Sequence, residues 1–403
     1  MEIRPILSTI LRNRLGAILI AAQIAVTMAV LCNASFLGID RLHTMLRPTG
    51  LDVANTFSVD TINFGEGFDY RAETPLDLDA INAIDGVRAV TTINSIPLSG
   101  GGWGEGLSTH LEEDAEDVRR GQGNLYMVDP QGIEALGVRL VAGRNFTDAD
   151  MLWREPRASV MPDVIIVTQA MADALFPDGD ALGKTVYSGN NALQIVGILE
   201  RMFGSWVSWD GVVNSILAPG RMMDQSSRFL VRSEPGQRDA VMAAVEEALS
   251  ARYADRVVRN VISLEEFKAG SYADDRTAAV VLTVIIALLL IVTGLGIVGL
   301  VSFLVSQRTK QIGTRRALGA QRWHVVRYFL IENWLITSIG LSFGLILTSL
   351  LNYYLVQNFE LPRLPLWYLP VGLVAIWVLG LLASFGPARR AARVAPAVAT
   401  RTV

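Results

Sequence analysis

Few residues in this chain have the type and spacing to do covalent chemistry. Residues 179–185 read GDALGKT, with Lys184 and Thr185 following Gly183. A phosphate-binding loop needs four residues between its glycines, so that a full turn of backbone N–H groups surrounds the phosphates. Here only three lie between Gly179 and Gly183, and no strong apolar strand precedes them. A turn is the better reading. His43, His110 and His324 are scattered, and Cys32 is the single cysteine. That excludes a disulfide framework or a thiolate metal cluster within one chain. The acidic run Glu112, Glu113, Asp114, Glu116 and Asp117 lacks the mid-loop glycine of a calcium loop and reads as a solvated face. The glycine-rich segment around Trp103 reads as a loop, with contact to a substrate or partner as its functional alternative. The densest functional group is basic: Arg308, Lys310, Arg315, Arg316, Arg322 and Arg327 occupy one stretch without an acid.

The elements that must position these residues follow from composition. Of the 403 residues, 51% are hydrophobic and 18% charged. An average soluble chain is nearer 25% charged, so part of this one belongs in lipid. The net charge of −4 conceals a partition. Residues 40–275 hold 36 acids against 20 bases, and the remainder holds 3 acids against 15 bases. Four stretches are long and apolar enough to span about 30 Å of hydrocarbon as helices. They set the expected fold class: a membrane protein of four transmembrane α-helices, with a large α/β (α+β) extracytoplasmic domain inserted between helices 1 and 2. The expected boundaries are a cytoplasmic amphipathic helix at 1–14 and spans at 15–39, 276–306, 331–357 and 366–388. A basic loop at 307–330, a short outside loop at 358–365 and a tail at 389–403 complete the chain.

Arg4, Arg12 and Arg14 precede the first span, the basic loop follows the second, and Arg389, Arg390, Arg393 and Arg401 form the tail. By the positive-inside rule all three are cytoplasmic, and the acidic 40–275 region lies outside. A retained first anchor is favoured over a secretory signal, because its apolar core is long and no small-x-small cleavage site follows. Gln23, Thr27 and Asn33 are polar residues in the first span, and no span has a central acid or base. This argues against an ion-coupled carrier. Gly340 and Gly344 form a GxxxG that permits close helix packing. Outside, a strand–helix–strand order over about 50–96 returns over about 226–264. That suggests one split subdomain around an inserted lobe at about 97–225.

The stretch Arg308–Ala320, with Ile312, Gly313, Arg315, Ala317, Leu318, Gly319 and Ala320, then Phe329, Leu330 and Glu332, closely resembles the signature of the MacB/FtsX-like permease family. These are the membrane subunits of type VII ABC transporters. Pro387–Arg393 resembles the family's closing segment. Leu140–Gly143 with Arg144, Phe146 and Asp148 resembles a passage of its outside domain, and so do Val164–Val167, Ala181–Lys184 and Ile195–Ile198. Gln311 stands where the family usually has Glu, and Val394, Ala395 and Pro396 replace a more usual Leu-Asp-Pro.

The resemblance implies an inner-membrane permease subunit with both termini cytoplasmic, not itself an enzyme. With no Walker A match or ABC signature string, it implies ATP and Mg bound by a separate ATPase. It also implies a second permease chain, in a homo- or heterodimer. Arg308, Ile312, Gly313, Arg315, Arg316, Ala317, Leu318, Gly319 and Ala320 are the expected ATPase-coupling loop. ATP-driven closure would push this loop and move the second span, expected as one helix over Leu264–Ser306. The leading use is efflux or export of a drug, peptide or other periplasmic substrate, with a periplasmic adaptor and an outer-membrane channel. The alternatives are lipoprotein release, regulation of cell-wall hydrolases and, outside the family, a membrane-anchored sensor or binding module. Nucleic acid is not an expected partner.

Overall fold

A computed structural model describes residues 14–64, 68–112, 117–155, 158, 160–224, 226–359 and 361–393. The amphipathic stretch before Arg14, the acids Glu113, Asp114 and Glu116, the residues 394–396 and Arg401 lie outside the described residues. The chain divides into two units, residues 47–274 and the remainder.

Helix α1 (Arg14–Leu46) opens the second of these. Strand β1 (Thr56–Asn63), helix α2 (Tyr70–Asn82) and strand β2 (Val87–Thr92) begin the 47–274 unit. Asp69 starts α2 earlier than hydropathy alone suggests, because its carboxylate accepts from the N–H groups of Arg71 and Ala72. The lobe contains β3 (Gly104–Ser108), β4 (Arg120–Val128), α3 (Gly132–Leu136), β5 (Leu140–Gly143), β6 (Leu152–Arg154) and β7 (Val164–Thr168). It continues with α4 (Gln169–Leu175), β8 (Thr185–Ser188), β9 (Asn191–Leu199) and β10 (Ser215–Met222). The chain then returns through β11 (Ser226–Ser233), α5 (Arg238–Arg252), β12 (Arg256–Ser263) and α6 (Leu264–Ser271).

The first and last parts form one antiparallel sheet in the order β12-β1-β11-β2. The two strand–helix–strand units are thus interleaved in the split βαβ manner of ferredoxin-like folds. Phe57, Val59, Phe229 and Val231 pack with Ile81, Val245 and Leu249 of the helices in one core. In the lobe, β4 pairs with β3 and also, in parallel, with β10, so the path β4-β3-β8-β9-β7-β10 closes on itself. Closure leaves only the short β5 and β6 as edge strands among the described residues of the lobe. In the passage after β5, Arg144 pairs with Asp150 at 2.7 Å. Its guanidinium holds that carboxyl well below the usual carboxylate range. The folded pKa is depressed, so the pair's contribution is present above the ordinary carboxylate pKa and is lost progressively as pH falls from there through the depressed one.

The apolar helices are α1, α7 (Ala273–Gln307), α9 (Arg322–Phe359) and α10 (Tyr368–Ala391), with the short α8 (Thr309–Ala317) after α7. Their most apolar windows have mean hydropathies of 2.3, 3.0, 1.9 and 2.1, which makes all four long and apolar enough to cross a membrane. At 1.5 Å per residue, the 33 residues of α1 extend about 50 Å, well beyond the hydrocarbon. Arg41 and Asp275 pair at 2.7 Å and tie the end of α1 to the start of α7. Gly340 and Gly344 bring α9 onto α1: a Cβ at Gly340 would lie 2.8 Å from the Ala21 carbonyl oxygen, and one at Gly344 2.8 Å from Met28 Cβ. The polar residues of the spans also join helices. Thr27 meets Thr293 at 2.8 Å, Asn33 Nδ2 donates to the Thr348 carbonyl, and Asn333 Nδ2 donates to that of Gly380. These groups thereby have partners where lipid offers none.

The single helix expected over Leu264–Ser306 is not formed. Tyr272, at φ −100° and ψ 13°, separates α6 from α7. The Ser271 hydroxyl donates to the Leu98 carbonyl, and Tyr272 is buried, so side-chain anchoring overrides helical continuity there. Gly270 sits inside α6, so the break does not fall at the glycine.

One ion-pair cluster holds the helices of the 47–274 unit against its sheet. Arg256, fully buried, and Arg252 both donate to Asp77, which is 2% exposed. Removing the carboxylate leaves a buried guanidinium without a counter-charge, a change that costs about 3–5 kcal/mol. Asp77→Ala is expected to lower the thermal midpoint of this unit markedly, followed by near-ultraviolet circular dichroism. A loss of stability below about 1 kcal/mol would contradict that reading of the cluster.

Candidate functional site

The GDALGKT stretch is a turn. The N–H of Gly179 donates to Phe176, that of Gly183 to Ile195 and that of Lys184 to Ala181, while the Lys184 ammonium pairs with Asp180 at 3.0 Å. These backbone donors are occupied, so the segment offers no phosphate cradle.

The basic stretch after α7 is helical rather than a loop. A loop was expected over 307–330, but α8 occupies 309–317 and α9 begins at Arg322. The physical reason lies in two devices, one at each end of α8. At its C-terminus, the Ala320 N–H donates to the Arg315 carbonyl and the Gly319 N–H to that of Arg316. Gly319 has φ +96°. This is a Schellman cap, in which glycine supplies the left-handed residue. Gly319 and Ala320 therefore end α8 and turn the chain into α9.

At the N-terminus of α8 stands Arg308. Its Nη1 and Nη2 donate to the two Glu332 oxygens at 2.9 and 3.2 Å. The side chains are 14% and 3% exposed. A bidentate pair with this burial fixes both position and orientation. Between the two devices, Ile312 and Gly313 are buried. Ile312 joins Leu304, Val325 and Phe329 in one apolar cluster, together with Ala388, Ala391 and Ala392 of the C-terminal segment. The alanines of that segment face inward while Arg389, Arg390 and Arg393 are exposed.

The nine expected site residues thus divide by role. Arg308, Ile312, Gly313, Gly319 and Ala320 build an elbow. Arg315 lies over the Tyr328 ring at 5.5 Å and remains exposed, and Arg316 is half-buried. Ala317 and Leu318 project from the elbow, with Leu318 84% exposed. Trp323, 59% exposed, follows at the start of α9. Sequence reasoning did not select Glu332, Tyr328 or Trp323 as site residues. For Glu332 a signal existed: it is one of only three acids outside residues 40–275, and an isolated acid in an apolar stretch calls for a cationic partner.

Comparison with known proteins agrees with this anatomy. Residues 17–248 match the MacB-like periplasmic core domain, and residues 283–396 match the FtsX-like permease C-terminal domain. The chain is 27% identical over 402 residues to the macrolide export ATP-binding/permease protein MacB of Marinobacter nauticus, covering 95% of this chain and 56% of that one. It is 26% identical over 274 residues to the ABC transporter permease YknZ of Bacillus subtilis, covering 66% and 63%. The crystal structure of the periplasmic region of MacB from Actinobacillus actinomycetemcomitans aligns with 53% of this chain and 91% of its own, at 16% identity and a TM-score of 0.32. The chain spans about half the length of the MacB relatives it matches. With a periplasmic core domain followed in the same chain by a permease domain, the protein belongs to the MacB/FtsX-like family of ABC transporter permeases.

Proposed function

We propose that this permease works by mechanotransmission with a separate ATPase, which binds ATP and Mg and docks on the elbow between α7 and α9. The observation that carries this reading is the elbow's exterior. A rigid core fixed by Arg308 and Glu332 presents Leu318 and Trp323, two exposed apolar side chains, among Arg315, Arg322 and Lys310. Exposed apolar residues within a charged rim are the ordinary make-up of a protein contact. The positive-inside rule puts this basic face, with both termini, on the cytoplasmic side, where ATP is available.

In this mechanism the ATPases close on ATP and push the elbow. The bidentate pair passes the displacement to α7 and α9 as one body. The chain continues from α7 through Tyr272 into the outside unit, so motion of α7 is transmitted along it. The spans are apolar, and Thr27, Asn33 and Asn333 bond across helices, which favours substrate handling outside the membrane over passage through a polar pore. Export of a drug, peptide or other periplasmic substrate is the use we favour, with a second permease chain, a periplasmic adaptor and an outer-membrane channel. The names of the MacB relatives, which specify macrolide export, support it.

Two outcomes test the elbow. Arg315→Glu with Arg316→Glu, and separately Leu318→Asp, are expected to reduce the ATPase recovered with affinity-purified permease severalfold, with the thermal midpoint unchanged for Leu318→Asp. Undiminished recovery would refute docking at this turn. Glu332→Ala strands a buried guanidinium and is expected to destabilise the membrane unit by about 3–5 kcal/mol. Arg308→Met combined with Glu332→Leu is expected to regain much of that stability while substrate-stimulated ATP hydrolysis stays low. Full stimulation in the apolar double variant would show that the pair has no part in transmission.

A further inference from the structure

The 47–274 unit contains a second constellation, which the proposed coupling does not use. On β1, Asp60 is flanked across the sheet by Arg228 of β11 and by Arg259 of β12. Arg228 takes up the carboxylate, its Nε and Nη2 donating to the two oxygens at 2.7 and 3.2 Å. Asn260 Nδ2 donates to the same group at 3.1 Å. Arg259 is exposed and makes no ion pair among the described residues. The row therefore holds two guanidiniums for one carboxylate, within a region whose overall charge is strongly negative.

The chain is bent to build this row. Between the pairs Ser58–Ile262 and Asp60–Arg259, β12 has one residue more than β1. Asn260 in that bulge has φ +53°. Bulges re-aim side chains and recur beside functional sites; this one turns Asn260 onto Asp60. Nearby, Leu98 is fully buried at φ +62°, and the buried Ser95 hydroxyl has no hydrogen-bond partner among the described residues. Local strain and an unpaired buried hydroxyl both cost stability and persist mainly where a site requires them.

Two cavities of about 230 and 460 Å³ share Asp60, Asn94, Trp103 and Arg228 as walls. The smaller is also lined by Arg259, Met127 and Met222, and the larger by Ser95. One free guanidinium beside an aromatic ring and two thioethers suits an anion with an apolar body. Asp224 also lines the smaller cavity, so two carboxylates balance its two guanidiniums; a wall of zero net charge with one unpaired guanidinium favours a monoanion over a phosphate dianion. We propose that these cavities bind an organic monocarboxylate, with its carboxylate on Arg259 and its aromatic or aliphatic body against Trp103, Met127 and Met222. The site is independent of the elbow and of the ATPase.

The test uses the full chain in detergent, with N-acetyl-L-phenylalanine and its uncharged amide as probes, measured by titration calorimetry. The acid is expected to bind at least about tenfold more tightly than the amide, the discrimination one charge-assisted hydrogen bond supplies. Arg259→Gln, an exposed substitution whose folding is checked by an unchanged thermal midpoint, is expected to abolish the preference and leave amide affinity unaltered. Trp103→Leu is expected to weaken both probes. Equal binding of acid and amide, a preference that survives Arg259→Gln, or no binding of either probe to the unmodified chain would overturn the proposal.

Discussion

The membrane unit depends on one buried ion pair. Arg308 and Glu332 are separated by 23 residues in sequence, yet they meet through two hydrogen bonds in a place where neither has free access to water. Each charge is tolerable there only because the other is present. The chain between them must then fold back tightly, and the short helix α8, its Schellman cap and the buried Ile312 are the means. The same pairing ties the chain at the end of α7 to the first half of α9.

The outside unit obeys a different constraint. Its ferredoxin-like sheet is assembled from strands on both sides of the lobe, so the lobe can be long without interrupting the core of Phe57, Phe229 and Val231. The lobe completes its own pairing by closing β4 on β10. What remains available is the sheet face carrying Asp60, Arg228 and Arg259, where polar side chains stand in place of a continuous apolar core.

The spans were legible because a helix in lipid must be apolar over its whole membrane-crossing length, a signal that needs no tertiary information. The split of the outside unit was also readable, since strand and helix periods return in the same order after the lobe. The closure of β4 on β10 was not, because register between distant strands leaves no local trace. At the elbow the sequence motif carries no sign of the structural part each residue plays. A glycine followed by alanine looks the same in a loop as in a helix cap, and only the backbone bonds of Gly319 and Ala320 distinguish the two. Glu332 had to be seen beside Arg308 before either explained the other. The break at Tyr272 was hidden for a similar reason: the hydrogen bond from Ser271 to Leu98 spans 173 residues. A helix-favouring sequence gives no warning of it.

In the proposed mechanism the exposed turn at Leu318 touches an ATP-hydrolysing subunit. A photo-crosslinking amino acid at position 318, in the full chain expressed in its own host and irradiated in intact cells, tests it most directly. One dominant adduct is expected, with a mass and peptides that identify an ABC ATPase and a yield that changes when nucleotide is trapped. An elbow that yields no adduct, or an adduct only with a protein lacking an ATP-binding domain, would contradict it.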